Sequence, residues 1–314
     1  MKGRNLYYVE FLLLMNYRKS LLITSLIIIV AILCIAIFIP KTIRLHQSKF
    51  IVVNSRAYFR TITDESKWHQ WWPEGHFNIL ATKEYSTTVR IKSDSDSLLT
   101  EMTNVPFGLD SVLVIWDGLS ESTSNPWSKL KNYYKVNGYK RQIKLALSRL
   151  DSFYSSEENI YAMKIIKQHV IDSTLIATSS MAVGYPGIPL VDSMIRILKQ
   201  YAVRQETSIT GLPMLNVLKS DSIHYLVRVA LPVSNKLRDS GNIVYRAMLG
   251  GGNILVTEVH GGPSRINKTF AEMENYISDH KRTAPAIPFQ SLVTDRSIIQ
   301  DTGKWVTKVF YPVM

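Results

Sequence analysis

An internal echo limits the possible folds of this chain more than any other property of its 314 residues. The stretch YLVRVALPV (225–233) returns 80 positions later as WVTKVFYPV (305–313), matching Val229 with Val309, Pro232 with Pro312 and Val233 with Val313, and pairing Arg228 with Lys308. Working backwards, TLIATSSMAVG (174–184) has a counterpart in NILVTEVHGG (253–262), each a strand-like run into a glycine turn. Each turn is followed by an apolar stripe at helical spacing: Ile188, Val191, Ile195, Leu198 and Tyr201 in the first copy, Ile266, Phe270, Met273 and Ile277 in the second. Proline-flanked apolar pieces follow, GLPMLNVL (211–218) and AIPFQSLV (286–293), and then the strands ending in Pro-Val. Four elements in one order at nearly one offset exceed what chance supplies. The unit is β-α-β-β, written twice over about 168–233 and 244–313. Three strands and one helix bury little surface alone. The two copies are therefore expected to share one sheet, with a cleft at their pseudo-twofold junction, where small-ligand sites concentrate.

At the other end, Leu21 to Ile39 (LLITSLIIIVAILCIAIFI) runs without a charge between Arg18-Lys19 and Lys41. At about 1.5 Å per residue, such a run nearly spans a hydrocarbon core of about 30 Å. It is read as one transmembrane helix over 21–40. A cleaved signal peptide is the competing reading, but the run is long for one and ends in IFIPKT, with no small-x-small cleavage pattern. Residues 1–20 are then a cytoplasmic extension, or an upstream start with Met15 as the true one. Lys2, Arg4, Arg18 and Lys19 precede the span and Lys41, Arg44, Lys49, Arg56 and Arg60 follow it, so charge does not orient it. The only cysteine, Cys34, lies inside the run, which excludes a disulfide within the chain. The formal net charge of +12 speaks of anionic partners or surfaces and not of fold.

Residues 45–155 form a different region, closed by the polar patch DSFYSSEEN, which reads as a linker. KFIVVN is strand-like; Ser55 is a plausible N-cap; Trp68, Trp71 and Trp72 follow at helical spacing before Pro73 and Gly75. STTVRIK, SLLTEMT and SVLVIWD have strand composition. A closing helix starts at Asn125-Pro126, with Ile143, Leu147, Leu150 and Tyr154 as its apolar stripe and Gly138 as a kink or break. This order is that of an α+β helix-grip fold. DESKWHQWWPEG and the closing helix resemble the START-like proteins of the SRPBCC or polyketide-cyclase superfamily. That resemblance implies a hydrophobic ligand cavity, which Trp68, Trp71, Trp72 and Trp127 would line unless they are simply core.

The second region, 160–314, resembles the GyrI-like, AraC-type effector-binding domain through VTEVHGGPSRINKTFAEMENYI and DTGKWVTKVFYPV. The resemblance implies a binder of small organic molecules, and the whole architecture is similar to that of membrane-anchored bacterial, Bacteroidetes-like proteins. It implies a single-pass inner-membrane protein with the part after the span facing the periplasm in preference to the cytoplasm. Candidate ligand contacts are Tyr225, Arg228, Glu258, Tyr276, Trp305, Lys308 and Tyr311. Two positions depart from the family pattern: Lys308 stands where an acid is usual in the last strand, and Ser264 stands for the tyrosine after Gly-Pro. If Lys308 and Arg228 face the cleft, they favour neutral or anionic ligands. If they face solvent, they do not.

No zinc-ligand spacing occurs, and LGGGN (249–253) lacks the spacing and lysine of a phosphate loop, so no metal or cofactor is expected. Nothing resembling a helix-turn-helix accompanies the effector-like part, so no nucleic-acid partner is expected either. Glu258 and His260, two apart on one strand, are the candidate catalytic pair for polarising a water. Three functions follow as expectations: a membrane-anchored protein binding a hydrophobic or amphiphilic small molecule, a hydrolase of a reactive or toxic small molecule, and a ligand-free interaction module.

Overall fold

The computed structural model describes residues 3–314 except 73–75, 94–95, 172 and 249; side chains at 3–16, 33, 35, 36 and 93 are outside the description. The turn expected at Pro73 and Gly75, and the first residue of LGGGN, fall outside it. The chain divides into two units, one of residues 1–52 and 62–153 and the other of residues 53–61 and 154–314.

The first unit contains α1 (Gly3–Phe38), β1 (Thr42–Val52), α3 (Glu65–Trp71), β2 (His76–Thr82), β3 (Ser86–Ser93), β4 (Asp96–Phe107), β5 (Ser111–Glu121) and α4 (Pro126–Tyr154), while α2 (Ser55–Ile62) lies almost wholly in the second. The expected membrane span is corrected here: among the described residues, no helix is long and apolar enough to cross a membrane. The apolar run lies in α1 as far as Phe38, so the helix expected there forms. The transmembrane part of the fold class and the single-pass localisation therefore fall away.

Strands β1-β5-β4-β3-β2 form one antiparallel sheet. Its core is aromatic. Trp68, Trp71, Trp72 and Trp116 are buried, with the Trp68 and Trp71 ring centroids 4.7 Å apart and those of Trp72 and Trp116 5.5 Å apart. Buried indole N–H groups usually find partners, although among the described residues Trp72 Nε1 is buried without one. Trp68 Nε1 donates to the Ile62 carbonyl at 2.8 Å and Trp116 Nε1 to Thr100 Oγ1 at 2.9 Å. Trp127, by contrast, is exposed. Helix α4 runs unbroken through Gly138, and DSFYSSEEN is the end of α4 and the start of α5 (Glu157–Tyr161).

The second unit holds α2, α5, β6 (Ile166–His169), β7 (Ser173–Val183), α6 (Ile188–Arg204), β8 (Met214–Lys219), β9 (His224–Val233), β10 (Val244–Met248), β11 (Asn253–His260), α7 (Pro263–Asp279), β12 (Phe289–Leu292) and β13 (Val306–Val313). One eight-stranded sheet runs β10-β7-β9-β8-β12-β13-β11-β6, so the copies meet where β8 pairs with β12, Leu215 opposite Gln290 and Met214 opposite Ser291. Proline in the first turn starts both helices, where its missing N–H costs nothing. The buried residues of α6 (Val191, Met194, Leu198, Tyr201, Ala202) pack on Leu215, Val227, Val229, Leu231, Val233 and Leu292. This packing defines the helix-bearing face, and alternation along the strands assigns the rest. Two strands were not foreseen. β6, at the start of the first copy, pairs with β11 of the second, while β10, which opens the second copy, pairs with β7 of the first.

Candidate functional site

A cleft opens on the helix-bearing face above the junction of the copies, with a water-accessible volume of about 200 Å³. Ile188, Val191, Asp192, Ile195 and Lys199 line one wall; their spacing of three and four residues puts them on one face of α6. Leu215 of β8 and Leu292 of β12 form the floor, with Leu212 and Pro213 beside them. The opposite wall is the connection between β12 and β13, residues 293–297, together with Trp305. Tyr185 and Pro263 also line it.

The connection is held by backbone and side-chain bonds. Thr294 N donates to the Val306 carbonyl at 3.1 Å, Val306 N to Thr294 Oγ1 at 2.8 Å, and Trp305 Nε1 to the Ile299 carbonyl at 2.8 Å. This anchoring puts Arg296 inside the cleft. Its Nη2 donates to Gln290 Oε1 at 3.0 Å and to Thr307 Oγ1 at 2.9 Å, and its guanidinium carbon lies 4.3 Å from the centre of the Trp305 ring. Gln290 and Thr307 are buried. Burial pulls the guanidinium down to about 10, because leaving water penalises the charged form. The same cause pushes the Tyr185 phenol up, against a hydrogen bond with Gln290 and the neighbouring charge of Arg296.

The acids lining the cleft have other partners. Asp192 pairs with Arg196 at 3.3 Å. Asp295 accepts from Ser297 N at 3.0 Å and Ser297 Oγ at 2.6 Å, and the Ser297 hydroxyl holds its carboxyl below the usual range.

Of the residues singled out in the sequence, Trp305 lines the cleft, and Tyr225, its counterpart in the first copy, has its ring 5.8 Å from that of Tyr185. Arg228, Glu258, His260 and Lys308 lie on the opposite face of the sheet. Lys308 stands opposite Glu258 in register, Glu258 Oε1 is 3.1 Å from His260 Nε2 with both side chains exposed, and Arg228 Nη1 donates to Asn216 Oδ1 at 3.1 Å. Tyr311 donates to Glu274 Oε1 at 3.3 Å beneath α7. Tyr276 packs on His280 and Tyr161, with ring centroids 4.1 and 5.1 Å away. Among the described residues no cluster of His, Cys, Asp and Glu could hold a metal ion.

Sequence reasoning missed Arg296, Tyr185 and Gln290. The available signal was the mismatch between copies: 220–223 joins β8 to β9, whereas the much longer 293–305 joins β12 to β13. An insertion in one copy of a repeat maps to a loop on one face, often a binding face.

Fold and cleft together define an α+β chain whose second unit is a duplicated β-α-β-β sheet with a pocket at the junction of the copies. Among solved structures, the chain is similar to the C-terminal domain of EcmrR, at 12% identity and a TM-score of 0.40, over 48% of this chain and 98% of that one. It is also similar to SAV2435 bound to tetraphenylphosphonium, at 15% identity and 0.33, over 48% and 94%. A START superfamily protein from Mycobacterium smegmatis is similar at 14% identity and 0.27, over 36% and 97%. These are likenesses of fold. No protein-family model matches the chain, and no curated protein does.

Proposed function

We propose that this protein binds a small apolar or amphiphilic molecule in the cleft of its duplicated unit. The observation that carries the reading is the pocket of about 200 Å³ at the junction of the copies, walled by Ile188, Val191, Ile195, Leu212, Leu292 and Trp305 and bordered by Asp192, Lys199, Asp295 and Arg296. Concave, mostly apolar sites with a few placed polar side chains are what small-molecule recognition requires. The pair Glu258 and His260 has no part in it, being exposed on the other face. Titration of the full chain with the neutral dye N-phenyl-1-naphthylamine tests the reading. Saturable binding that drops by about tenfold when Ile195→Trp fills the cleft supports it, a loss of about 1.4 kcal/mol. Absence of binding, or binding indifferent to Ile195→Trp in a folded variant, overturns it.

A further inference from the structure

Arg296 sits inside this cleft with its charge unmatched. It is half-buried, and its Nη2 bonds go to neutral acceptors, Gln290 and Thr307. Among the described residues, its Nε is buried without a hydrogen bond and Nη1 makes none. No described carboxylate forms an ion pair with it; Asp192 is engaged by Arg196 and Asp295 by Ser297. The face of Trp305, 4.3 Å away, offsets the charge only in part. A half-buried guanidinium in this state carries a desolvation cost that a paired anion would offset. The remaining donors belong to a group that recognises planar oxyanions.

We infer that the ligand of this cleft is an amphiphilic organic carboxylate, its carboxylate on the free Nη1 donors of Arg296 and its apolar body against Ile188, Val191, Ile195 and Leu292. This rests on the reading of the cleft as a small-molecule site and adds the charge of what enters it. One enclosed guanidinium balances one negative charge, so a monoanion fits and a phosphate dianion leaves charge over. Lys199, exposed on the α6 wall, is the positive group near Asp295 and helps hold that carboxyl down, so it balances that acid and not the ligand. Arg228 and Lys308, on the opposite face, contribute nothing to it.

The test compares three ligands of one shape on the full chain at pH 7 by calorimetry: 2-naphthoate, methyl 2-naphthoate and 2-naphthylmethylammonium. The expected result is that the carboxylate binds at least about tenfold tighter than the ester and the ammonium binds weakest, as one charge-assisted contact implies. Arg296→Met should remove that preference; Arg296→Lys should keep part of it. Arg228→Met and Lys308→Met should leave it unchanged. Equal or better binding of the ester or the ammonium overturns the inference, as does a preference that survives Arg296→Met or disappears in the two opposite-face variants. If Arg296→Met does not fold, the ligand ranking of the unmodified chain and the Arg296→Lys result decide. Binding of the neutral dye with no binding of 2-naphthoate overturns this inference alone; binding of neither overturns the cleft reading as well.

Discussion

Arg60 and Asp279 meet at the end of α7, where Arg60 Nη2 donates to Asp279 Oδ2 at 2.8 Å. The Asp279 side chain is nearly buried and also accepts from the Tyr161 hydroxyl at 3.0 Å. Around the pair, Asn54 Nδ2 donates to the Asp279 carbonyl at 2.7 Å and Arg56 Nη1 to the Ser278 carbonyl at 3.1 Å. The last carbonyls of α7, which have no partner within the helix, thus receive donors from residues 53–61, and the positive charges sit at the negative end of its dipole.

Removing one partner of such a pair strands the other. Asp279→Ala is expected to cost about 2–4 kcal/mol in urea unfolding, the lower part of the range reflecting the partial exposure of Arg60. A double-mutant cycle with Arg60→Ala should return a coupling of about 1–3 kcal/mol. Additive effects of the two changes would show that the pair is not an energetic unit.

Trp305 forms a wall of the cleft and is almost fully buried. Ligand in the cleft should therefore perturb its emission. Trp305→Phe, which keeps an aromatic wall but loses the bond to the Ile299 carbonyl, should abolish most of the ligand-dependent tryptophan signal and cost about 1 kcal/mol of stability. An unchanged signal in Trp305→Phe would move the bound molecule elsewhere.

Gly262, at the N-cap of α7, has an ordinary φ of −83°, so conformation does not demand glycine there. Space does: a Cβ would lie 2.9 Å from Thr302 Cβ, and Thr302 is tied to Trp305 through a backbone bond of 3.3 Å. Gly262→Ala should destabilise by about 1–3 kcal/mol by overpacking and weaken cleft binding along with it. A thermal melt indistinguishable from the unmodified chain would contradict this.

On the opposite face of the sheet, Lys308→Ala and Glu258→Gln should each change stability by less than about 0.5 kcal/mol and leave cleft affinity unaltered, because exposed charges and the exposed Glu258–His260 pair contribute little. The same Glu258→Gln chain should match the unmodified one over a panel of esters and lactones. Turnover that disappears with this change would restore the pair to a catalytic role.

Asp221 accepts N–H bonds from Ile223 at 2.9 Å and His224 at 2.8 Å, and these hold its carboxyl at about 2 against an ordinary 3.8. A folded value below the unfolded one means the group stabilises the fold above about pH 4 and loses that contribution as pH falls through about 2. Asp221→Asn should flatten the acid limb of the stability profile across that window. An unaltered limb in acid titrations would show that the turn opens before it protonates.

The duplicated β-α-β-β pattern was legible because it is written in local periods: alternation in strands such as Val227, Val229, Leu231 and Val233, and three- and four-residue spacing in α6 and α7. A pairing of the two copies followed from how little each buries alone. Strands β6 and β10 escaped notice because they are sheet edges with no buried alternation to betray them and partners about 90 and 70 residues away in the chain. Residues 53–61 read as part of the tryptophan-rich region that follows them. Their place against α7 depends on hydrogen bonds to Ser278 and Asp279 that no local pattern encodes. The apolar run 21–39 predicted a helix and, with it, a membrane span; the helix is there, and the span is not supported among the described residues. Arg296 is the sharpest case. In sequence it is one basic residue in a polar loop; its burial beside Trp305, Gln290 and Thr307 exists only once β12 and β13 pair and the loop between them folds over the junction. Periodicity records which way a side chain faces within its own element, whereas the electrostatic environment of a site is a sum over elements that only the folded chain brings together.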